Sequence, residues 1–244
     1  MKRLFGLAAG ALLALATAAY AQAPTPAPAP TLQYLTPADV DPMLLLPPPV
    51  GTGSPTHMAE VAEVLQIQKT ATAERRAQAV WDDRHESAEA FEPTLGPSFK
   101  LSALPATAKL MMSVQLERDV ATNMAKVYFD RPRPWTFNDA IEVCEEAGRN
   151  GAQRRSYPSG HGTLGFAQGI VLASLMPEKA QVILARSADY AFSRVVCGVH
   201  YRSDTVASQA LGTTIGVLLL RNPALKPQID AARAELRAAG LTQK

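Results

Sequence analysis

A segment of small and apolar residues, Gly160–Leu175, reads GHGTLGFAQGIVLASL and sets how the rest of the chain can pack. It contains no proline, and Pro177 follows it closely, so we predict a helix that ends before this proline. Gly162, Gly165 and Gly169 lie inside the predicted helix. Because glycine lowers helix stability, these positions indicate close approach of the backbone to a neighbouring segment or a ligand.

Apolar residues recur at helical spacing on both sides of this segment. Upstream, one helix is predicted over Leu104–Phe129. Downstream, helices are predicted over Glu178–Val196, Ser203–Leu220 and Pro223–Ala239, the last of them amphipathic. No segment alternates convincingly with a period of two, which would indicate a strand. We therefore predict an all-α fold, a compact single-domain helical bundle.

The chain upstream of these helices has a different composition. Pro55–Phe91 has no internal proline and is predicted to be helical, as one long helix or as two with a break. Residues 22–53 are rich in proline and are predicted to form an extended arm on the domain rather than a helix. A further short helix is predicted over Asn138–Ala147. His57 and His85 lack a metal-ligand partner at helical spacing, so we interpret both as solvated.

The N-terminus has the features of a secretory signal. Lys2 and Arg3 precede a short apolar run, and Ala19-Tyr20-Ala21 fits a cleavage site. We predict that residues 1–21 are removed, that the protein is periplasmic, and that the folded domain spans residues 54–244. The alternative is an N-terminal membrane anchor, for which the apolar run is short.

The charge balance argues against binding to nucleic acids. The sequence has 24 basic and 22 acidic residues, and loss of Lys2 and Arg3 makes the two numbers equal. A nucleic-acid binder would be expected to carry a basic face. The apolar run Ile215–Leu220 is too short to span a bilayer, so no membrane insertion is expected after removal of the signal.

Cys144 and Cys197 are the two cysteines of the chain. Because export leads to an oxidising compartment, we predict a disulfide between them; the alternative is two buried free thiols. The disulfide would tie the loop after Trp135 to the segment before His200.

Three clusters of polar residues carry groups suited to an oxyanion: Lys126-x6-Arg133-Pro134, Pro158-Ser159-Gly160-His161 and Ser193-Arg194-x5-His200-x3-Asp204. The first combines a mobile point charge with a fixed guanidinium fork. The second precedes a helix, where free backbone N–H groups bind anions. In the third cluster, a helical conformation would let the Asp204 carboxylate accept a hydrogen bond from one ring nitrogen of His200. The other ring nitrogen would then remain basic.

Each of these residues also has an ordinary structural explanation. Lys126 and Arg133 could be solvated surface charges, and Ser159 could be a simple helix N-cap. His161 could be a capping or core histidine, and the hydrogen bond of His200 could lie on the surface. The combination of the three clusters favours an anion site.

The complete pattern K-x6-RP, PSGH and SR-x5-H-x3-D resembles that of the type 2 phosphatidic acid phosphatase superfamily, with every specified position present and in order. The signal, the chain length and the phrases Ser156–His161 and Arg194–His200 resemble the bacterial class A nonspecific acid phosphatases. The resemblance covers most of the mature chain, from about Tyr34. One departure is Gly162, where the family pattern has threonine.

The resemblance implies an all-α acid phosphatase that hydrolyses phosphate monoesters of broad range. It implies that His200 is the nucleophile that forms a phosphohistidine, that Asp204 orients it, and that His161 is the general acid and base. The phosphate would be bound by Lys126, Arg133, Ser159, Gly160 and Arg194. No cofactor and no metal are expected, and opposite protonation of the two histidines predicts a bell-shaped pH profile with an acidic to mildly acidic optimum.

Two other functions could use the same anion pocket. A vanadate-dependent haloperoxidase would be expected to be much longer, and a non-enzymatic periplasmic phosphate-binding protein would not need the His200–Asp204 pair. The sequence leaves open whether the ester is a nucleotide, a sugar phosphate or an aryl phosphate, and whether alcohols other than water accept the phosphoryl group. It also leaves a homo-oligomer open, with Leu44–Pro49 as a candidate contact.

Overall fold

Helices form the fold in the computed structural model, which describes residues 30–144 and 154–243. The described residues form nine α-helices: α1 Pro42–Leu45, α2 Pro55–Thr70, α3 Ala73–Arg84, α4 Glu92–Leu95, α5 Pro105–Phe129, α6 Gly160–Leu175, α7 Ala180–Val196, α8 Arg202–Arg221 and α9 Lys226–Ala238. No strand occurs in these two ranges, where the only β-type pairing is an isolated bridge between Pro132 and Arg155. The predicted all-α class is therefore confirmed.

The helix boundaries follow the capping residues. α6 has the predicted bounds, and Ser159 caps it by accepting a hydrogen bond from the Gly162 N–H at 3.2 Å. The segment from Pro55 onward is two helices, because Thr72 caps the second one through the Arg75 N–H at 3.2 Å. The short helix predicted from Asn138 does not form over residues 138–144, and its remaining residues lie outside the described ranges.

Helix α6 packs against α7 and α8 at very short distances. A Cβ atom at Gly162 would lie 2.1 Å from Ser208 Oγ, and one at Gly165 would lie 2.8 Å from Tyr190 Cδ1. On α8, a Cβ atom at Gly212 would lie 2.5 Å from a backbone oxygen of α6. The close approach predicted from the glycines is therefore a helix–helix contact. It also explains why glycine stands at position 162, since the Ser208 side chain occupies the space of a larger residue.

The described part of the proline-rich arm, residues 30–53, is fixed to the domain by a buried carboxylate of α5. Glu117 accepts hydrogen bonds from the N–H groups of Gln33, Tyr34 and Leu35 at 2.5, 3.1 and 3.1 Å. The arm is not wholly extended, because the one-turn helix α1 forms after an Asp41 cap. The predicted signal peptide, residues 1–21, lies outside the described residues. Among the residues described, no helix is both long and apolar enough to cross a membrane.

The interpretation of His57 as solvated is wrong, whereas His85 is partly exposed. His57 is 1 % exposed, with Nδ1 accepting from the Gly53 N–H at 3.1 Å and Nε2 lying 3.0 Å from Tyr201 Oη. His85 is half-buried and stacks on Trp81 with ring centroids 3.8 Å apart. The buried partner Tyr201 is 144 residues from His57, so local sequence spacing could not reveal it.

A disulfide and one glutamine hold the turn between α7 and α8. Cys144 and Cys197 are bonded, as predicted. Gln68 Nε2 donates to the backbone oxygens of Glu142 at 2.7 Å and Val196 at 3.0 Å, which ties the same two segments together. Gly198 lies between them with a φ of 69°, a left-handed conformation that favours glycine.

We predict that Gly198→Ala strongly destabilises the protein. A Cβ atom there would lie 2.2 Å from the Glu142 oxygen, in a backbone conformation unfavourable for alanine. The left-handed conformation costs about 1–2 kcal/mol and overpacking a further 1–3 kcal/mol. Urea denaturation of the oxidised protein should therefore show a free energy of unfolding lowered by about 2–5 kcal/mol.

The matched control is Gly53→Ala. Gly53 also has a positive φ, 79°, but no atom lies within 4 Å of its built Cβ position. Only the conformational cost of about 1–2 kcal/mol should appear there. Equal losses in the two variants would contradict the assignment of steric contact at Gly198.

Candidate active site

The segment between α7 and α8 presents the predicted His–Asp pair. Helix α7 ends at Val196 and α8 begins at Arg202, so His200 lies before the helix and Asp204 in its first turn. The two residues therefore do not share one helical face, because the left-handed Gly198 follows the end of the first helix. The contact itself forms, with His200 Nδ1 3.2 Å from Asp204 Oδ2.

Asp204 is completely buried and uses both carboxylate oxygens. Oδ2 accepts the Tyr201 N–H at 2.9 Å in addition to its contact with His200. Oδ1 accepts from Arg131 Nη1 at 2.6 Å. An ionised carboxylate only accepts hydrogen bonds, so the proton of neutral His200 resides on Nδ1. The lone pair is then on Nε2.

His200 Nε2 faces the cations of the first cluster. Arg133 Nη1 lies 3.3 Å from this nitrogen and donates to the Val199 backbone oxygen at 2.8 Å. Lys126 Nζ donates to the Arg155 backbone oxygen at 3.0 Å. The basic nitrogen of the predicted nucleophile is therefore aimed at a cationic region.

Strong desolvation and mutual repulsion act on these cations. Burial and the Arg133 charge lower the pKa of Lys126 to about 7. Burial and the Arg194 charge lower the pKa of Arg133 to about 10. Arg194 itself donates to the Asp83 carboxylate, and its Nε is buried without a hydrogen-bond partner in the part of the chain that the structure describes. A bound anion would relieve this repulsion.

The PSGH segment completes the constellation at the start of α6. The Ser159 N–H donates to the Asp204 backbone oxygen at 3.2 Å, which joins the second cluster to the third. His161 lies in the first turn of α6 and is largely buried. Its Nε2 is 3.2 Å from the Asp83 backbone oxygen, and its Nδ1 is 3.5 Å from Glu86 Oε1.

Comparison with known proteins gives the family. Residues 107–226 match the PAP2 superfamily. A "Non-specific acid phosphatase" from Providencia stuartii is 30% identical over 201 residues, covering 80% of this chain and 81% of the relative. An "Acid phosphatase" from Zymomonas mobilis is 30% identical over 203 residues, covering 82% and 76%. A "Non-specific acid phosphatase" from Salmonella typhimurium is 29% identical over 203 residues, covering 81% and 80%.

The chain belongs to the non-specific acid phosphatases of the PAP2 superfamily. It is accordingly a phosphoric monoester hydrolase, as the sequence predicted. The relatives named here are all phosphatases, which favours hydrolysis over the haloperoxidase and phosphate-binding alternatives.

In this phosphatase the two motif histidines are held in the neutral form. Burial and the Arg133, Lys126 and Arg194 charges lower the pKa of His200 well below 6.5. Burial and the Arg194 charge do the same to the pKa of His161. Both effects penalise a positive ring in a region that is already cationic.

Five residues around the site escaped the sequence analysis: Glu60, Asp83, Glu86, Arg118 and Arg131. Arg131 bridges Asp204 and Glu60, with Nη2 2.5 Å from Glu60 Oε2. Its guanidinium also lies over the Tyr201 ring, 3.9 Å from the ring centroid. The partners of Arg131, Glu60 and Asp204, lie on distant helices, so local spacing does not reveal them. The only local signal is that Arg131 opens the phrase Arg131–Pro134.

We predict that phosphate raises the pKa of both motif histidines. In the ligand-free phosphatase, the NMR signals of His161 and His200 should titrate below pH 6.5 for the reasons given above. A bound phosphate offsets the positive charges, so both signals should titrate at higher pH. The two histidines have a higher pKa in the unfolded chain than in the folded protein, so the unfolded chain binds protons at a higher pH. The ligand-free protein therefore loses stability as pH falls from about 6.5 through the folded-state pKa values.

Single His→Asn variants assign the signals, and His57→Asn and His85→Asn complete the set of four. Titration of His200 at or above pH 6.5 without phosphate would contradict the electrostatic description of the pocket.

Proposed function

We propose that this acid phosphatase hydrolyses phosphate monoesters of broad range through a phosphohistidine on His200. The observation that carries the proposal is the orientation of this ring. Asp204 holds Nδ1, while Nε2 faces the region of Arg133, Lys126 and Arg194. A neutral nitrogen whose lone pair is aimed at a place that attracts an anion is suited to attack phosphorus.

In the first step His200 Nε2 forms a bond to phosphorus while the bond from phosphorus to the ester oxygen breaks. Asp204 stabilises the positive charge that develops on the ring. Protonated His161 gives its proton to the leaving alkoxide. In the second step neutral His161 takes a proton from water, the oxygen of this water bonds to phosphorus, and the bond to Nε2 breaks.

The phosphoryl oxygens are bound by cations and by the start of α6. Lys126, Arg133 and Arg194 supply the positive charges, and the Ser159 hydroxyl and Gly160 N–H supply further donors. These charges stabilise the negative charge of the transition state, the task that metal ions perform in other phosphatases. We therefore propose metal-independent hydrolysis, with phosphotransfer to alcohols as a side reaction when an alcohol replaces water.

The pH dependence follows from the two histidines. The first step needs His200 neutral and His161 protonated, so activity should be bell-shaped with apparent pKa values that belong to the pair. Because the ligand-free pocket lowers the pKa of His161, the acid form is favoured at low pH or after the substrate anion has bound. This supports an acidic to mildly acidic optimum.

We also propose that the protein is exported to the periplasm and that the mature chain begins at Gln22. The signal-like residues 1–21 support this proposal, and the disulfide is compatible with an oxidising compartment. The arm then covers residues 22–53 and the phosphatase domain residues 54–244. N-terminal sequencing of periplasmic protein tests the cleavage site; a sequence beginning at Met1 would contradict it.

The test of the mechanism compares His200→Asn with His161→Asn. With radiolabelled p-nitrophenyl phosphate, His200→Asn should form no phosphoenzyme and lose activity by about 10³-fold or more. His161→Asn should still form the phosphoenzyme, since p-nitrophenolate leaves without a proton. Its turnover should fall by about 10²–10⁴-fold, so the phosphohistidine should accumulate during the reaction. Because phosphohistidine is acid-labile and base-stable, it should be detected after the reaction is quenched with alkali.

His57→Asn is the matched control, because this buried histidine does not contact the phosphate pocket through any of its described contacts. Circular dichroism should first confirm that it folds. Wild-type turnover should be unchanged by EDTA. Labelling of His200→Asn equal to that of the wild type would overturn His200 as the nucleophile, and loss of activity with EDTA would overturn metal independence.

A further inference from the structure

A set of ionic residues lies beside His161 and outside the three sequence motifs. Arg118 lies on α5 with its side chain 4 % exposed. Its Nη1 is 3.1 Å from Glu86 Oε1 and 3.1 Å from Asp119 Oδ1. The same nitrogen donates to the Gly160 backbone oxygen at 3.4 Å. This arrangement joins α5 to the start of α6, where the phosphate pocket begins.

One positive charge here faces two negative ones. The Glu86 and Asp119 side chains are 46% and 41% exposed, so they border the solvent, whereas Arg118 is buried. Both carboxylates contact the same nitrogen of Arg118, while its Nε and Nη2 have no hydrogen-bond partner within the described ranges. The local charge is therefore negative when both acids are ionised, next to a pocket that is positive.

The position of Glu86 relates it to the leaving group. His161 Nε2 is engaged by the Asp83 backbone oxygen, so the ring nitrogen left to deliver a proton is Nδ1. Glu86 Oε1 lies 3.5 Å from this Nδ1, and 3.9 Å from a Cβ atom built at Gly160. The alcohol part of the ester must approach Nδ1, and it therefore passes the carboxylate of Glu86.

We propose that Glu86, held by Arg118, determines specificity for the alcohol part of the ester. It favours leaving groups that are uncharged or cationic, and it disfavours leaving groups that carry a negative charge of their own. The phosphoryl group is recognised by the cations on the other side of His161. The inference rests on the proposed function, because it assigns the leaving group to the side of His161.

Three aryl esters of similar size test the proposal: phenyl phosphate, 4-carboxyphenyl phosphate and 4-(aminomethyl)phenyl phosphate. For the wild type, kcat/KM should rise from the carboxylate to the neutral ester to the amine, with the carboxylate about tenfold below phenyl phosphate. A tenfold difference corresponds to about 1.4 kcal/mol. In Glu86→Gln the carboxylate should come within about threefold of phenyl phosphate, and the advantage of the amine should disappear.

Two further variants make the test specific. Glu89→Gln removes an exposed carboxylate three residues away and should leave the order of the three esters unchanged. Asp119→Asn removes the other partner of Arg118 and should shift the ratio in the same direction as Glu86→Gln, which keeps the test valid if one variant folds poorly. High salt should reduce the discrimination in the wild type, since these groups are partly exposed.

The failures of the two proposals can be told apart. If Glu86→Gln hydrolyses phenyl phosphate but keeps the wild-type ratio of the three esters within twofold, the specificity proposal is overturned and the phosphatase mechanism stands. If wild-type activity on all three esters persists in His200→Asn, the proposed mechanism is overturned, and with it the assignment of the leaving-group side.

Discussion

The buried carboxylate of Asp204 is the interaction on which the site depends. It is inaccessible to solvent, and its two oxygens bind the His200 ring, the Tyr201 N–H and the Arg131 guanidinium. Its own backbone oxygen accepts the Ser159 N–H. One residue thus fixes the tautomer of the proposed nucleophile, the start of α8 and the start of α6. Loss of one partner from a buried ion pair costs about 3–5 kcal/mol, so these positions are strongly coupled to folding.

The proposed phosphate pocket is electrostatically unfavourable without a bound anion. Lys126 and Arg133 are both desolvated and lie near each other. The pKa of Lys126 falls to about 7 and that of Arg133 to about 10. Hydrogen bonds hold these charges in place, from Lys126 to the Arg155 backbone oxygen and from Arg133 to the Val199 backbone oxygen. A phosphate ester that enters the pocket offsets the repulsion, and binding to the folded state then stabilises it. The same feature that weakens the empty protein therefore strengthens anion binding, most of all when negative charge grows in the transition state.

The features that could be predicted from the sequence are those that depend on local residue pattern and on fixed motif spacing. The bounds of α6 followed from its small residues and Pro177, and the three motifs indicated which side chains would meet. Prediction from the sequence failed where the partner comes from a distant segment. The burial of His57 depends on Tyr201, and the role of Arg131 depends on Glu60 and Asp204. His200 and Asp204 meet without sharing a helix, because α7 ends at Val196, as predicted, and α8 begins only at Arg202.

In the proposed mechanism the two sides of His161 differ in burial, and this difference has a consequence for specificity. On the phosphoryl side, His200 and Asp204 are buried, and their contacts reach several helices, so a change there disturbs the fold as well as the chemistry. On the leaving-group side, Glu86 is 46% exposed and lies on the short connection after α3. A substitution at such a position removes one charge with little loss of packing. Under the proposed mechanism, the choice of ester can therefore vary with less cost to the fold than a change at His200 or Asp204.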